Sequence, residues 1–202
     1  MAQWKERELS SAHILVVGAG GGQEIITLGS RHEAWRFTGV DPSGPMLQTA
    51  LRRMERSGLE QRVTLVQGEL EQLALDQHYD AATCMLVLHF IKGLEQKKQL
   101  LKHIASRLHE GAPFFAAAIN GEIHAASFSI QMQGWKSYML SKGIKLQEWQ
   151  KFENSIGVES DPIPASVMES LMLEAGFTQI TRYYGAFLID GWFAVKGSVK
   201  KS

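Results

Sequence analysis

The chain has 202 residues, which suits a single domain with at most a small appended segment. Apolar residues make up 45% and charged residues 21%, as in an ordinary globular protein, and the single cysteine, Cys84, excludes an intrachain disulfide. Basic and acidic residues both number 21, so the formal charge is zero and a polyanionic partner is disfavoured. No apolar run reaches the roughly 20 residues that span a bilayer, and we expect a cytoplasmic protein.

Strand-like and helix-like segments alternate over the first 119 residues. Short apolar runs, typical of buried parallel strands, lie at residues 14–17, 35–40, 62–66, 81–88 and 113–119. Helical spacing of apolar residues appears between them, at residues 23–28, 46–54 and 94–108. The second strand ends at Asp41-Pro42 because proline cannot donate to a sheet. This order predicts βαβ units with right-handed crossovers.

The alternation stops after residue 119. We expect an inserted helical segment at about 120–160, where aromatic side chains stand among polar ones: Trp135, Tyr138, Trp149 and Phe152. A helix at 166–175 then ends before Gly176, and strands at 177–184 and 187–195 follow. Their short link through Gly185 requires an antiparallel hairpin. The predicted fold class is α/β, with residues 1–202 forming one domain that carries this insertion.

A glycine-rich loop follows the first strand and opens the first helix. A dinucleotide-binding loop would read G-x-G-x-x-G, but the third glycine is replaced by Gln23 in one register and by Ile25 in the other. The pattern that fits is G-x-G-x-G, formed by Gly18, Gly20 and Gly22. It indicates a ligand that approaches bare main chain, and the alternative is a tight strand-to-helix turn without a ligand.

Asp41 ends the second strand, nineteen residues beyond Gly22. A carboxylate at that strand tip can accept hydrogen bonds from both hydroxyls of a ribose, each worth about 1.5–3 kcal/mol. The alternative is an aspartate that caps the next helix or forms a turn. Together with the glycine loop, this position favours a nucleoside-containing ligand.

With these motifs the chain resembles the class I S-adenosylmethionine (SAM) methyltransferases from residue 14 to about residue 195. Further matching segments are Gly68-Glu69-Leu70, Tyr79-Asp80-Ala81, Leu86-Val87-Leu88-His89-Phe90 and Ala175-Gly176-Phe177-Thr178. The resemblance implies a doubly wound, seven-stranded, mostly parallel sheet with a final antiparallel strand. It also implies SAM as cofactor and S-adenosylhomocysteine (SAH) as product, with no metal.

The resemblance assigns roles to individual residues. Those that it places at the cofactor are Gly18, Ala19, Gly20, Gly22, Asp41, Pro42, Met46, Gly68, Glu69, Leu70, Met85 and Leu86. It places His89 beside the sulfonium, either as a general base or as a packing and hydrogen-bonding residue. The family often has an acidic residue where Val16 stands here, so either Glu24 compensates or the cofactor's amino group bonds only to backbone carbonyls.

The acceptor is not identified by the sequence. The neutral charge and the aromatic insertion favour a small molecule. The insertion is expected to act as a substrate lid, as a helical segment packed on the domain, or as a contact between subunits. A monomer and a homodimer both remain open. An RNA- or protein-modifying enzyme is a second hypothesis, for which Arg52, Arg53 and Arg56 offer a basic patch. The favoured interpretation of these three residues is nevertheless the solvated face of a helix. The end of the insertion is also similar to carboxy-SAM synthases, but no arginine lies between residues 107 and 182 to hold an extra carboxylate. A non-catalytic interaction module is the third hypothesis.

Overall fold

A computed structural model describes residues 10–74 and 76–198 of the chain. The strands of this part are β1 (Ala12–Val17), β2 (Trp35–Asp41), β3 (Val63–Gln67), β4 (Ala81–Met85), β5 (Pro113–Ile119), β6 (Phe177–Ala186) and β7 (Ile189–Lys196). The helices are α1 (Gln23–Gly29), α2 (Gly44–Arg56), α3 (Leu94–Ser106), α4 (Ala126–Ser141), α5 (Leu146–Ser155) and α6 (Ala165–Glu174). The ends of the predicted domain, residues 1–9 and 199–202, lie outside the described residues.

The strands form one sheet in the order β3-β2-β1-β4-β5-β7-β6. Among the described strands, only β7 runs against its neighbours, pairing antiparallel with both β5 and β6. The chain order reverses between β1 and β4, and in open α/β sheets a ligand crevice lies at the carboxyl ends of the strands beside such a reversal. The predicted seven-stranded, mostly parallel sheet with a final antiparallel strand is confirmed.

The sheet is buried on both faces because helices cover each side. Successive residues of β1 enter different cores: Ile14 and Val16 pack beneath α1 and α2, whereas Leu15 and Val17 pack beneath α3 and α6. This explains the uninterrupted apolar run at the start of the chain, because a strand covered on both faces cannot alternate apolar with polar residues.

Two of the predicted strands, the fourth and the sixth, have carboxyl ends that are wrong by two or more residues. β4 stops at Met85, three residues early, because Leu86 adopts a left-handed backbone with φ 60° and donates its amide to the carbonyl of Ala117. The C-terminal hairpin turns at Phe187 and Leu188, not at Gly185, which lies inside β6. In both places a residue with a side chain occupies a conformation that favours glycine, so composition gave no signal.

The predicted helical insertion is formed by α4 and α5. Its apolar side chains make a third core with the end of β5 and the β6–β7 turn, comprising Ile119, Phe128, Met132, Trp135, Trp149 and Leu188. The longest helix of the described part is α4, with 16 residues. Within residues 10–74 and 76–198, each helix is too short or too polar to cross a bilayer.

Candidate functional site

The loop after β1 is held against the end of β2 by main-chain hydrogen bonds. The amides of Gly18 and Ala19 both donate to the carbonyl of Val40, at 2.8 and 3.1 Å. Gly18, Gly20 and Gly22 have φ angles of 71°, 49° and 76°. These left-handed values are costly for residues that carry a Cβ, so the three alternating glycines are required by the backbone conformation.

The glycines differ in the space around them. A Cβ on Gly18 would lie 2.2 Å from Cγ2 of Val87, so protein packing alone excludes a side chain there. A Cβ on Gly20 would meet only Cε of Met46, at 3.6 Å, and a carbonyl of the loop itself. The bare main chain at Gly20 is therefore the point of the loop that a ligand can approach closely, which is the fit that an adenosyl group requires.

The carboxylate of Asp41 lies against the glycine loop. Its Oδ2 accepts a hydrogen bond from the amide of Gly20, and its Oδ1 accepts one from the amide of Ser43, both at 2.8 Å. Each carboxylate oxygen has a further lone pair, so both can still accept a hydroxyl hydrogen bond. The structure thus brings together the two features from which a nucleoside site was predicted.

The segment after β3 borders the same end of the sheet. Gly68 donates its amide to the carbonyl of Asp41 at 3.0 Å, and the exposed Glu69 begins a short 3₁₀ helix. Pro42 and Met46, across the loop, are also exposed. Leu70 differs, because it is a buried core residue whose carbonyl accepts from Arg107. Any contact of Leu70 with a ligand is therefore confined to its main chain.

The turn after β4 faces the glycine loop from the other side of the strand-order reversal. Met85 is half-buried, Leu86 is 44% exposed, and Val87 packs against Gly18. A left-handed leucine costs about 1–2 kcal/mol, and such strain persists only where surrounding contacts impose it. Here the amide of Leu86 is fixed to the carbonyl of Ala117 at 2.7 Å, which holds the turn open toward the loop.

His89 is a buried residue of this turn, with 2% exposure. Its Nδ1 accepts a hydrogen bond from the amide of Ile119 at 3.2 Å, and its carbonyl accepts one from the amide of Asp161 at 2.6 Å. Burial lowers the pKa of His89 to about 4, and the positive charge of Lys97 adds to this effect. The ring is therefore neutral at physiological pH.

The hydrogen bond to Nδ1 decides what the ring can do. A backbone amide can only donate, so Nδ1 carries no proton and Nε2 must carry it in the neutral ring. Neither nitrogen of His89 is then free to take a proton from an acceptor while this bond persists. The geometry favours the packing and hydrogen-bonding role over the general base.

Glu24 lies near Val16, the position of β1 at which the resembling family often has an acidic residue. Val16 of β1 pairs in register with Thr83 of β4, and Glu24 lies in the first turn of α1, near enough to Thr83 for that hydroxyl to influence its carboxyl. Burial raises the pKa of the Glu24 carboxyl, and the Thr83 hydroxyl partly offsets this. A half-buried carboxyl group is thus present next to Val16, although it is supplied by the helix and not by the strand.

The aromatic residues of the insertion pack mainly on one another. The Trp135 ring contacts Trp149, Phe152 and Phe187, with centroid distances of 5.9, 5.0 and 6.0 Å. Trp149 is 1% exposed and belongs to the interior of the insertion, whereas Tyr138 and Phe187 remain 49% and 38% exposed. Tyr138 of the insertion and Phe187 of the β6–β7 turn therefore form the exposed aromatic surface at this place, which a ligand or partner can contact.

Two charged residues beside His89 were not predicted from the sequence. Lys97 is completely buried, and its Nζ lies 2.8 Å from Oδ2 of Asp161. Lys97 stands within a run of polar residues on α3, so nothing in the sequence separates it from its solvated neighbours. The Asp161-Pro162 dipeptide at the end of the insertion was the available signal, because such a pair favours a fixed turn.

The basic residues of α2 are exposed, as predicted for a solvated helix face. Arg53 donates to the carbonyl of Gly21 at 3.1 Å and Arg52 donates to Thr49 at 3.3 Å. Arg53 therefore braces the outer side of the glycine loop, and this contact gives it a role within the fold.

Residues 15–114 match the model of a family described as a methyltransferase domain, Methyltransf_12. Among curated proteins, a ubiquinone biosynthesis O-methyltransferase from Rickettsia felis is 27% identical over 89 residues, which cover 44% of this chain and 35% of that protein. The chain spans far less than two thirds of that relative's length.

Solved structures of methyltransferases share the fold. An O-methyltransferase family 2 protein from Planctomyces limnophilus in complex with apigenin matches with a TM-score of 0.68 at 15% identity, over 95% of this chain and 52% of that one. Human N-acetylserotonin methyltransferase in complex with SAM matches with a TM-score of 0.64 at 16% identity, over 95% and 49%. This chain covers about half of each of these neighbours.

Proposed function

We propose that this chain, which has the class I methyltransferase fold and matches a methyltransferase family model over residues 15–114, transfers the methyl group of SAM to a small-molecule acceptor and releases SAH. The observation that carries the proposal is the junction of Gly20 with Asp41. Bare main chain and a carboxylate with spare lone pairs meet there, at the carboxyl end of the sheet beside the strand-order reversal.

The parts of the cofactor are assigned to different sides of this junction. In the proposal, Asp41 accepts the ribose hydroxyls, and the main chain around Gly20 contacts the sugar and sulfonium. Met46 and Glu69 border the adenine together with Pro42. Main-chain groups of Gly18, Ala19, Gly22, Gly68, Leu70, Met85 and Leu86 complete the lining.

Glu24 is proposed to attract the amino group of the cofactor's methionine portion. Its carboxyl is half-buried at the start of α1, and its pKa is already raised by burial. A nearby ammonium group would favour the ionised carboxylate and lower that pKa again. This helix-borne carboxylate would replace the acidic residue that is missing at Val16.

The chemistry needs positioning more than acid–base catalysis. The acceptor's lone pair forms a bond to the methyl carbon as the bond from that carbon to sulfur breaks, and the sulfur leaves as a neutral thioether. Correct alignment can supply roughly 7–11 kcal/mol of the barrier reduction. His89 is proposed to act in this reaction by fixing the turn after β4, because neither of its ring nitrogens is free to accept a proton.

The acceptor class is proposed from the insertion and from the neighbours. Residues 120–160 are proposed to act as a substrate lid on a single domain, with Tyr138 as its exposed aromatic side chain and Phe187 of the β6–β7 turn beside it. The neighbour solved with apigenin and the N-acetylserotonin methyltransferase support a small-molecule acceptor. The zero net charge and the use of Arg53 by the glycine loop argue against a nucleic acid. A cytoplasmic monomer or homodimer fits the composition.

Calorimetric titration with SAM, SAH and NAD tests the cofactor assignment. We expect binding of the first two only, and at least about tenfold weaker SAH binding by Asp41→Ala, because a charge-assisted hydrogen bond to the ribose is lost. Asp76→Ala removes an exposed carboxylate elsewhere and is the matched control. Tight binding of NAD, or unchanged SAH affinity in Asp41→Ala, would contradict the proposal.

Glu24→Gln tests the amino-group assignment separately. We expect SAH affinity to fall about tenfold while 5′-methylthioadenosine, which lacks the amino-acid portion, binds as to the unchanged protein. Glu33→Gln, at an exposed position, is the control. Equal weakening of both ligands would show that Glu24 acts on the fold and not on the amino group.

A further inference from the structure

The insertion leaves the sheet and returns to it at the same place. Asn120 pairs with Ile163 in a parallel bridge, and the amide of Gly121 donates to the carbonyl of Ile163 at 3.0 Å. Between these points the returning chain bonds to the turn after β4, because the amide of Asp161 donates to the carbonyl of His89. The base of the insertion is therefore fixed directly to the turn that borders the proposed cofactor site.

The carboxylate of Asp161 extends this contact along the turn. Its Oδ2 accepts hydrogen bonds from the amide of Gly93 and from Nζ of Lys97, both at 2.8 Å. Nζ of Lys97 also donates to the carbonyl of Ile91. The segment 89–93 is thus held at its first, middle and last residues by Asp161 and Lys97, an ion pair that we call the Lys97–Asp161 clamp.

Stability alone is a weak reason for such a clamp. Lys97 has no solvent exposure, and removing an ammonium from water is unfavourable even when it is paired. The Asp161 side chain is 39% exposed, so the buried member of the pair is the lysine. A paired buried charge and its partner can often be replaced together by apolar residues without loss of stability, whereas removing only the partner of the buried charge is strongly destabilising. What an ion pair adds here is defined geometry, because its side chains fix two main-chain groups, the carbonyl of Ile91 and the amide of Gly93, in one arrangement.

The geometry fixed by the clamp reaches the glycine loop. The same turn presents Leu86 in its left-handed conformation and packs Val87 on Gly18. The turn is also held by the hydrogen bond that the amide of Ile119 donates to Nδ1 of His89. A continuous set of contacts therefore runs from the end of the insertion through the turn to the loop.

We propose that Asp161 is a positioning residue. Through the Lys97–Asp161 clamp it holds the turn after β4 against the glycine loop. The position of the insertion on the sheet therefore sets the affinity for the methionine portion of the cofactor. This inference rests on the proposed SAM-dependent function. The adenosine portion is held on the far side of the loop, by Asp41, and does not depend on the clamp.

A double variant separates positioning from stability. Asp161→Ala leaves Lys97 charged and buried, and we expect the Tm to fall by about 10 °C. Lys97→Met with Asp161→Leu removes both charges, and we expect most of that loss to be recovered, because the exposed amide of Gly93 can bond to water. In this stable double variant SAH should bind at least tenfold more weakly, while 5′-methylthioadenosine binds normally.

The control is the adjacent surface ion pair between Lys98 and Glu174, at 3.3 Å. Lys98→Met with Glu174→Leu should change neither ligand's affinity. Unaltered SAH affinity in the stable clamp variant, or equal weakening of both ligands, would overturn the positioning role while leaving the proposed function intact. Failure of the unchanged protein to bind SAH would instead refute the proposed function, and the inference with it.

Discussion

Gly18 and Gly20 share a left-handed backbone but meet different surroundings, and this separates a fold requirement from a binding requirement. Gly18→Ala places a Cβ against Val87 and should lose more stability than Gly20→Ala, which adds mainly backbone strain of about 1–2 kcal/mol. Gly20→Ala should nonetheless lose most SAH affinity, because its Cβ would occupy the proposed approach of the ligand. Urea unfolding and SAH titration measure the two effects.

The control for backbone strain is Gly58→Ala. Gly58 has φ 66°, and a Cβ on this residue would meet no described atom within 4 Å, so substitution there costs strain without a clash. Its stability loss should match that of Gly20→Ala, and its SAH affinity should be normal. A Gly20→Ala protein that binds SAH as tightly as this control would show that the ligand does not approach the loop at Gly20.

His89 gives the fold a dependence on pH. Its pKa is about 4 when folded and 6.5 ordinarily, so between these values only the unfolded chain binds the proton. Stability is therefore full above pH 6.5, falls as the pH drops toward 4, and loses about 3 kcal/mol over that window. His89→Asn should flatten this part of the profile, because an amide does not titrate.

Urea unfolding at about pH 7.5, 6, 5 and 4 measures the profile. His124→Asn, at an exposed position of the insertion, is the matched control and should follow the unchanged protein. Since other groups also titrate in this range, the quantity to compare is the difference between the His89→Asn and parent curves. Parallel curves would mean that His89 can be protonated within the fold.

At the scale of elements, α4 contains a glycine in its middle that packs beneath the hairpin turn. A Cβ on Gly134 would lie 3.6 Å from Cε1 of Phe187, an ordinary contact distance. Gly134→Ala should therefore stabilise the protein by about 0.5–1 kcal/mol, through the higher helix propensity of alanine. Thermal unfolding measures this, and a lower Tm would show that the space between Phe187 and α4 does not admit a methyl group.

Element positions followed from local pattern, and element ends often did not. The apolar run at 113–119 coincides with β5, and the strand predicted at 35–40 differs from β2 by one residue. The apolar runs mark these two strands well because the strands contribute side chains to the cores on both faces of the sheet. The fourth strand was predicted three residues too long. Its apolar sequence continues through Leu88, but the hydrogen bond from Leu86 to Ala117 turns the backbone, and that partner lies on another strand.

For the whole molecule, alternating elements implied a doubly wound sheet, and the sheet order then fixed where a ligand site lies. Asp41 and the glycine loop could be paired from sequence because each lies at the carboxyl end of a strand, and parallel strands end at one edge. Glu24 was identifiable as a candidate for the missing acidic group. Its position against Thr83 depends on how α1 packs over β1 and β4.

The sequence by itself determined the fold class, the turn that needs bare glycines and the strand end that carries a carboxylate, because each is encoded within a few neighbouring residues. Only the tertiary structure decided that His89 is buried with its Nδ1 occupied and that Lys97 is paired with Asp161. Those properties arise from groups 30 and 64 residues apart in the chain, and no local pattern specifies which distant atoms will meet.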